Sequence, residues 1–192
     1  MKLFKYSIII GSIIFQTIWS QTYPPPTNLV TVPSAGTLVR GSFAMQMRVQ
    51  KGGGLTTSLR VGITDRFQFG LSYGSANLIG DDSLIWHPKP EASLKYRLID
   101  ETESFPGLSI GIDTQGQGQF HSADSLMRYD VKAMGMYIAT SKNWVTPLGN
   151  LGLHLGSNYN FAEKNDGDKD LNYFIGLDME FNPELSFILE YN

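Results

Sequence analysis

From Thr37 onward, apolar and polar residues alternate with a period of two through most of the chain. This period is typical of β-strands that have one apolar and one polar face. Nine segments follow it, so the sequence predicts an all-β chain with strands over 40–50, 55–64, 67–74, 91–98, 108–113, 130–140, 151–159, 171–181 and 185–191. The segment at 130–140 is the least regular of these, because apolar residues occupy both of its faces.

The sizes of the residues on the two faces indicate which face is the inside. The polar faces are rich in Gly, Ser and Thr, whereas the apolar faces carry bulky Phe, Tyr, Leu and Met. A soluble sandwich or lipocalin-type barrel would place the bulky residues inside. Apolar-out and polar-in is the pattern of a barrel surrounded by lipid, and strands of about ten residues suit a tilted crossing of a bilayer. The sequence therefore predicts an antiparallel up-and-down transmembrane β-barrel, with a soluble periplasmic β-sandwich as the alternative.

The lengths of the connections support the barrel. Outer-membrane barrels have short periplasmic turns and longer external loops in alternation. With a periplasmic N-terminus, the outer connections are 51–54, 77–90, 116–129 and 161–170, and the inner ones are 65–66, 100–106, 142–149 and 182–184. Three of the four longest connections lie on the outer side, and the short Gly-rich turn at 51–54 is the exception.

The N-terminal region divides into two parts before the barrel domain at 37–192. Residues 1–20 combine Lys2 and Lys5 with an apolar run that ends at Trp19, the pattern of a secretory signal peptide. An uncleaved membrane anchor is the competing interpretation, although the apolar run is short and interrupted. Residues 21–36 contain four prolines, which predict an extended, poorly hydrogen-bonded lead-in rather than a packed element.

Composition excludes several classes of function. The chain has no cysteine, which removes disulfides, thiolate metal sites, cysteine nucleophiles and a lipidated N-terminal cysteine. Of 15 basic residues, Lys2 and Lys5 precede the expected cleavage site, which leaves 13 against 18 acidic residues. No cluster of Lys and Arg is long enough to follow a phosphate backbone, so nucleic acid is not expected as a partner. No cofactor is expected either.

The candidate site is the set of charged residues on the polar, lumen-facing side of the strands. It comprises Arg40, Arg48, Arg60, Lys95, Arg97, Asp113, Asp178, Glu180 and Glu190. The interior of a barrel of eight to ten strands is little wider than its own side chains. We therefore expect these charges to pair with one another or with trapped water and to fill the lumen. A polar path for a small solute is the alternative, and no open pore follows from the sequence.

Two other kinds of site carry less support. A hydrolase would need one of the three histidines as a base. His87 and His121 lie in predicted outer loops. His154 faces the lumen, and no Ser or Asp lies at a spacing that marks it as a base.

Asp166, Asp168 and Asp170 place three carboxylates two residues apart, an arrangement that suits calcium. The glutamate of an EF-hand is missing, however, and a solvated hairpin tip explains the same residues.

Short motifs resemble a known family of barrels. The run 62–67, followed by Gly70 and Leu71, is similar to a periplasmic hairpin of outer-membrane barrels. Together with Pro33, Ala35, Gly36 and Leu38, with 95–98, and with Phe105, Pro106, Gly111 and Asp113, it resembles the YjbH-like barrel family over residues 30–160. That family is associated with exopolysaccharide production and export, so the resemblance implies a role with an envelope polysaccharide and supplies no catalytic residue.

These observations predict a non-enzymatic bacterial outer-membrane protein that is structural or assists passage of an envelope polysaccharide or small solute. The alternatives are a barrel enzyme acting on lipid or peptide and a soluble periplasmic binding module.

Nine strands also predict an incomplete barrel, because bacterial single-chain barrels use an even number of strands. We consider a fragment, self-association through an open strand edge, and the absence of the irregular strand at 130–140.

Overall fold

The computed structural model describes residues 26–80, 82–122, 126–163, 166–168, 170–182 and 184–192. Their regular structure is almost entirely β, with a single 3-10 turn at Lys51–Gly53. The strands are β1 Phe43–Val49, β2 Leu55–Thr64, β3 Phe67–Ala76, β4 Ile85–Trp86, β5 Glu91–Ile99, β6 Gly107–Asp113, β7 Gln117–His121, β8 Arg128–Val131, β9 Gly135–Thr146, β10 Gly149–Tyr159, β11 Asn172–Asn182 and β12 Leu185–Tyr191. Within these residues, no helix is long and apolar enough to cross a membrane.

Ten of the strands form one antiparallel up-and-down sheet. Its order is β1-β2-β3-β5-β6-β9-β10-β11-β12, with the two-residue β4 paired beside β3, while β7 and β8 form a separate hairpin. Each strand of the main path pairs with its neighbour along the chain, apart from the inserted hairpin. No ladder joins β1 to β12 in the described part of the chain, so a closed barrel is not seen there.

The expected antiparallel, up-and-down, all-β architecture is confirmed. The short strands β4, β7 and β8 were not predicted, and two predicted elements have other bounds. The segment predicted at 130–140 is the end of β8 followed by β9, which begins at Gly135 with a positive φ of 69°. Its two apolar faces arise because Tyr137 and Ala139 pack in a buried core while Met136 and Ile138 point outward. The turn after β9 is also shorter than the predicted 142–149, since β9 continues to Thr146 and β10 begins at Gly149.

The apolar side chains lie on the exposed face of the main sheet. Phe43 on β1 is 74% exposed, and the register continues this apolar surface from strand to strand. Met45 pairs with Leu59 and Leu59 with Leu71, and on the far side of the sheet Leu153 pairs with Leu177 and Leu177 with Leu189. The opposite face carries buried polar residues, including Gln68, Lys95, Ser109, Ser141 and His154.

Residues 26–37, the N-terminal segment, lie against this polar face. Val32, Ser34 and Ala35 are completely buried. Leu29 and Val32 contact the backbone of β11 so closely that a Cβ on Gly176 would come within 2.5 Å of Leu29 Cδ1. Because the segment bonds to side chains of strands from β1 to β12, the sheet must curve around it.

The expectation that the lead-in at 21–36 is not packed is therefore wrong for residues 26–36. Side chains of the sheet satisfy its backbone groups, and this kind of partner leaves no periodic signal in the segment's own sequence. Residues 21–25 and the predicted signal peptide at 1–20 lie outside the described residues.

Candidate functional site in the interior of the sheet

Glu190 on β12 binds the bend of the N-terminal segment at residues 30–32. Its carboxylate accepts the main-chain N–H groups of Val30 at 2.7 Å, Thr31 at 3.0 Å and Val32 at 3.2 Å, and the Thr31 hydroxyl at 2.9 Å. A carboxylate that accepts several N–H groups forms strong, charge-assisted hydrogen bonds. One predicted lumen charge thus fixes three consecutive residues of the segment.

Three predicted cations bind carbonyl and amide oxygens on and around the same segment. Lys95, which is 3% exposed, donates from Nζ to the carbonyl oxygens of Thr27, Ser34 and Gly36. Arg60 donates to the side-chain oxygens of Asn28 and Gln46, and Arg48 donates to the carbonyl of Val30. These cations bind neutral acceptors of the segment and its surroundings, whereas we expected the lumen charges to pair with one another or with trapped water.

The remaining predicted charges are divided between the interior and one end of the sheet. Asp113 on β6 accepts the main-chain N–H of Gln115 at 2.9 Å. Arg97 pairs with Asp100 at 2.9 Å near the end of β5, and Glu180 accepts a weak bond from Asn150 at 3.4 Å. Arg40 differs from the prediction, because it precedes β1, has an exposed side chain and contributes its main-chain N–H to Asp65.

Asp178 belongs to a hydrogen-bonded row of three side chains that the sequence did not reveal. The Oγ of Ser141 lies 2.6 Å from Nδ1 of His154, and Nε2 of His154 lies 2.6 Å from Oδ1 of Asp178. Ser141 on β9 is directly opposite His154 on β10, and Asp178 is two residues beyond Gly176, the partner of His154 on β11. These residues are 13 and 24 positions from His154 along the chain, so only the strand register brings them together.

The Ser141-His154-Asp178 row has the connectivity of a serine hydrolase triad, but its serine and histidine are buried. Ser141 is 1% exposed, and His154 is completely buried. The Ser141 Oγ also accepts the main-chain N–H of Ala35 at 2.7 Å, so the N-terminal segment covers the hydroxyl that would have to attack a substrate. The row therefore joins β9, β10, β11 and the segment through satisfied, buried hydrogen bonds.

The β7–β8 hairpin, here called the cap, covers the loop end of the interior, the end where the longer connections lie. Tyr129 on β8 is almost completely buried and packs edge-on against His87 and Phe120, with ring centroids 5.0 Å apart in each case. Its main-chain N–H donates to Glu163 at 3.0 Å, and its hydroxyl is 3.3 Å from Glu91. Burial, followed by the charge of Glu91, raises the pKa of Tyr129, so its hydroxyl remains protonated.

His87 joins the cap to the end of the sheet. Its Nε2 is 3.2 Å from the carbonyl of Gly118 in β7, and the N–H of Gly118 donates to Gln50 at 2.7 Å. Burial lowers the pKa of His87, and the Gly118 carbonyl and Glu91 oppose this effect only in part. The neutral form of His87 is therefore favoured while the cap is packed against the sheet.

The acidic loop considered for calcium binds a lysine of the protein. Nζ of Lys132 is 2.6 Å from Asp166 and 3.0 Å from Asp168, and Arg128 is 2.9 Å from Asp166. Hydrogen bonds from Lys132 lower the pKa of Asp166. Across the residues whose positions are described, no group of three or more His, Cys, Asp or Glu is arranged to hold a metal ion.

Two cavities lie on opposite sides of the N-terminal segment. The loop-end cavity, about 130 Å³, is bounded by Arg48, Arg60, Lys95, Asp113 and Gln115. The turn-end cavity, about 700 Å³, extends between Ser42 near β1 and Ile188 on β12. Asn28 and Val30 of the segment line both cavities, so the segment separates them.

No family model, curated protein or solved structure matches this chain. The resemblance to YjbH-like barrels stays a prediction, and any statement of function has to rest on the geometry of the sheet and its interior.

Proposed function

We propose that this protein is a non-enzymatic β-barrel of the bacterial outer membrane whose interior is filled by its own N-terminal segment. In this proposal it stabilises the envelope and allows passage of a small solute or envelope polysaccharide only when the segment is displaced. The observation that carries the proposal is the exposure of bulky apolar side chains along the strands while polar side chains are buried on the opposite face.

The apolar exposure is too extensive for a sheet that faces water on that side. Every strand of the path from β1 to β12 carries exposed large apolar residues, with one each on β6 and β10, namely Ile110 and Leu155, and two or more on each of the others. Monomeric soluble proteins rarely expose contiguous apolar surface beyond a few hundred Å². Lipid is the environment in which such a surface is stable, and strands of up to 12 residues are long enough to cross its hydrocarbon layer.

The contacts of the N-terminal segment are evidence that the sheet is curved into a nearly closed barrel. Arg48 on β1 donates to the carbonyl of Val30, and Glu190 on β12 accepts the N–H of the same residue. The first and last strands of the path therefore approach one stretch of chain. In a bilayer, their unpaired edges would leave backbone N–H and C=O groups unsatisfied, which favours pairing of these edges with a second copy of the chain.

The filled interior favours a barrel that does not conduct ions at rest. The segment lies between the two cavities, and Lys95, Arg60, Arg48 and Glu190 all bind it. Displacing it would break several buried hydrogen bonds at once. We therefore expect very low conductance in planar bilayers, because an open path requires the loss of these bonds.

Fractionation of the native protein tests the membrane assignment. We expect the full chain, expressed in a Gram-negative host, to remain in the outer membrane after extraction with alkaline carbonate. We also expect its electrophoretic mobility in detergent to change on heating, because a folded barrel resists unfolding by detergent. Recovery in the soluble periplasmic fraction, or complete release by carbonate, would refute the proposal, and stable ion-selective conductance steps from the wild-type protein would refute the filled interior.

A further inference from the structure

The loop-end cavity has the size of a small ligand and is lined mainly by polar side chains. Its volume of about 130 Å³ is well above the roughly 10–15 Å³ that one water molecule requires, so it has room for a small ligand. The N-terminal segment forms one wall through Asn28 and Thr31, and the cap contributes Gln117 and Val131. The cavity is therefore a chamber between two parts of the chain that pack on the sheet.

The charges around this chamber are unbalanced. Arg48, Arg60 and Lys95 line it, and among the described residues around it Asp113 supplies the one side-chain carboxylate. Within the described part of the chain, the hydrogen-bond acceptors of these three cations are carbonyl and amide oxygens, all of them neutral. Lys132 also lines the chamber, but Asp166 and Asp168 already neutralise it.

Glu190 does not correct the imbalance at this position. It lies outside the lining of the chamber and uses its oxygens on the N–H groups of residues 30–32 and on the Thr31 hydroxyl. Charges in such an interior are less screened than charges in the surrounding water, so the excess of positive charge attracts an anion.

Neutral donors of the chamber add to its charges. Ser58, Ser72 and Ser93 are among its lining residues, and their hydroxyl groups can donate to the oxygens of an anion.

We propose that this chamber is a binding site for a small tetrahedral oxyanion such as phosphate. Arg60 and Arg48 contribute the positive charge, and Lys95 holds the segment that forms one wall of the chamber. The site needs only the packing of residues 26–37 against the sheet, so it stands apart from the membrane role proposed above.

Titration calorimetry of the full folded protein in detergent micelles tests the site, with inorganic phosphate as the probe and chloride as the only other anion. We expect one saturable phosphate site, and sulfate, another tetrahedral oxyanion, should compete for it. Absence of saturable binding up to about 10 mM phosphate, or bound phosphate that sulfate does not displace, would overturn the proposal.

Two substitutions with opposite expected effects make the test specific. Arg60→Gln should weaken phosphate binding about tenfold, because it removes a charged donor. Asp113→Asn should strengthen binding severalfold, because it removes the carboxylate that repels the anion, and this variant decides the question if Arg60→Gln does not fold. Arg97→Gln is the matched control, since Arg97 pairs with Asp100 away from the chamber, and its affinity should match that of the wild type. Unchanged affinity in Asp113→Asn would contradict the proposal.

Discussion

The carboxylate of Glu190 accepts the main-chain N–H of Val30 at 2.7 Å although the two residues are 160 positions apart in the chain. This bond joins the last strand of the sheet to the segment that fills its interior. Glu190 was predicted to be a lumen charge, but its partner is a main-chain group, which the sequence does not indicate.

Replacing Glu190 should measure how strongly the segment is held. Glu190→Gln keeps the size of the side chain but removes the charge that three N–H groups share, so we expect a loss of about 1.5–3 kcal/mol in the free energy of unfolding. Urea unfolding followed by tryptophan fluorescence in detergent gives this value. Glu184→Gln, at an exposed glutamate in the turn before β12, is the control and should change stability little. Equal effects of the two substitutions would contradict the anchoring role of Glu190.

The outward face should reject a charge at mid-strand and tolerate it at a turn. Leu59 on β2 is exposed and pairs with outward-facing residues on both neighbours. Leu59→Arg should cost roughly 2–4 kcal/mol in a bilayer, whereas Leu148→Arg, in the turn between β9 and β10, should cost about 0–1 kcal/mol. Unfolding of the protein from lipid vesicles measures both. If Leu59→Arg is tolerated as well as Leu148→Arg, the outward face does not lie in the hydrocarbon layer.

The Ser141-His154-Asp178 row should matter for stability and not for catalysis. Ser141→Ala leaves the Ala35 N–H and His154 Nδ1 without their partner, and an unsatisfied buried group costs about 1–3 kcal/mol. Thermal unfolding should show this loss, and Ser186→Ala, at an exposed serine on β12, should not. A fluorophosphonate probe should leave Ser141 unlabelled, because the segment covers its hydroxyl. Labelling that disappears in Ser141→Ala would establish a reactive serine instead.

The cap should loosen as the pH falls. The pKa of His87 is lowered in the folded protein, so the folded state binds this proton less readily than the unfolded state. The stabilisation from neutral His87 is therefore fully present above the ordinary histidine pKa of about 6.5 and is lost as the pH falls from there through the lowered value. Hydrogen exchange at Tyr129, corrected for the intrinsic effect of pH, should accelerate between about pH 7 and pH 5.

Substitution of the two cap-region histidines separates this effect from others. His87→Gln should remove the pH dependence of exchange at Tyr129. His121→Gln should retain it, because His121 is paired with Asp130 outside the contact between His87 and Gly118. A pH dependence that persists in His87→Gln and disappears in His121→Gln would show that His121 controls the exchange, and would contradict the prediction for His87.

The strands were predictable because each of them carries its own signal. β2, β5, β10, β11 and β12 appear close to the predicted bounds, since alternation over seven or more residues requires no knowledge of partners. β4, β7 and β8 were not predicted, because two to five residues are too few to establish a period. The mixed faces at Tyr137 and Ala139 could not be interpreted from sequence, because the apolar residue that fills the interior there is Val32 of a distant segment.

The interior was less predictable than the strands. The charged residues Lys95 and Glu190 could be assigned to the polar face, but their partners are backbone groups of residues 27–36. Main-chain N–H and C=O groups are common to nearly all residue types, so composition and spacing do not indicate which of them will bind a charged side chain. The row from Ser141 to Asp178 needs the register of three strands, which is fixed by pairing between chain segments rather than by local sequence.

The bond between Val30 and Glu190 also constrains the order in which the molecule can assemble. The N-terminal segment is synthesised before every strand, yet its anchors extend from β1 to the last strand, so its final packing has to wait for β12. Contacts across 158 to 160 residues give the chain a high contact order, and such chains fold slowly because long loops must close before the contacts form. During that interval the segment remains accessible from solution, and a chaperone that binds extended proline-containing chain could hold it until the sheet has curved.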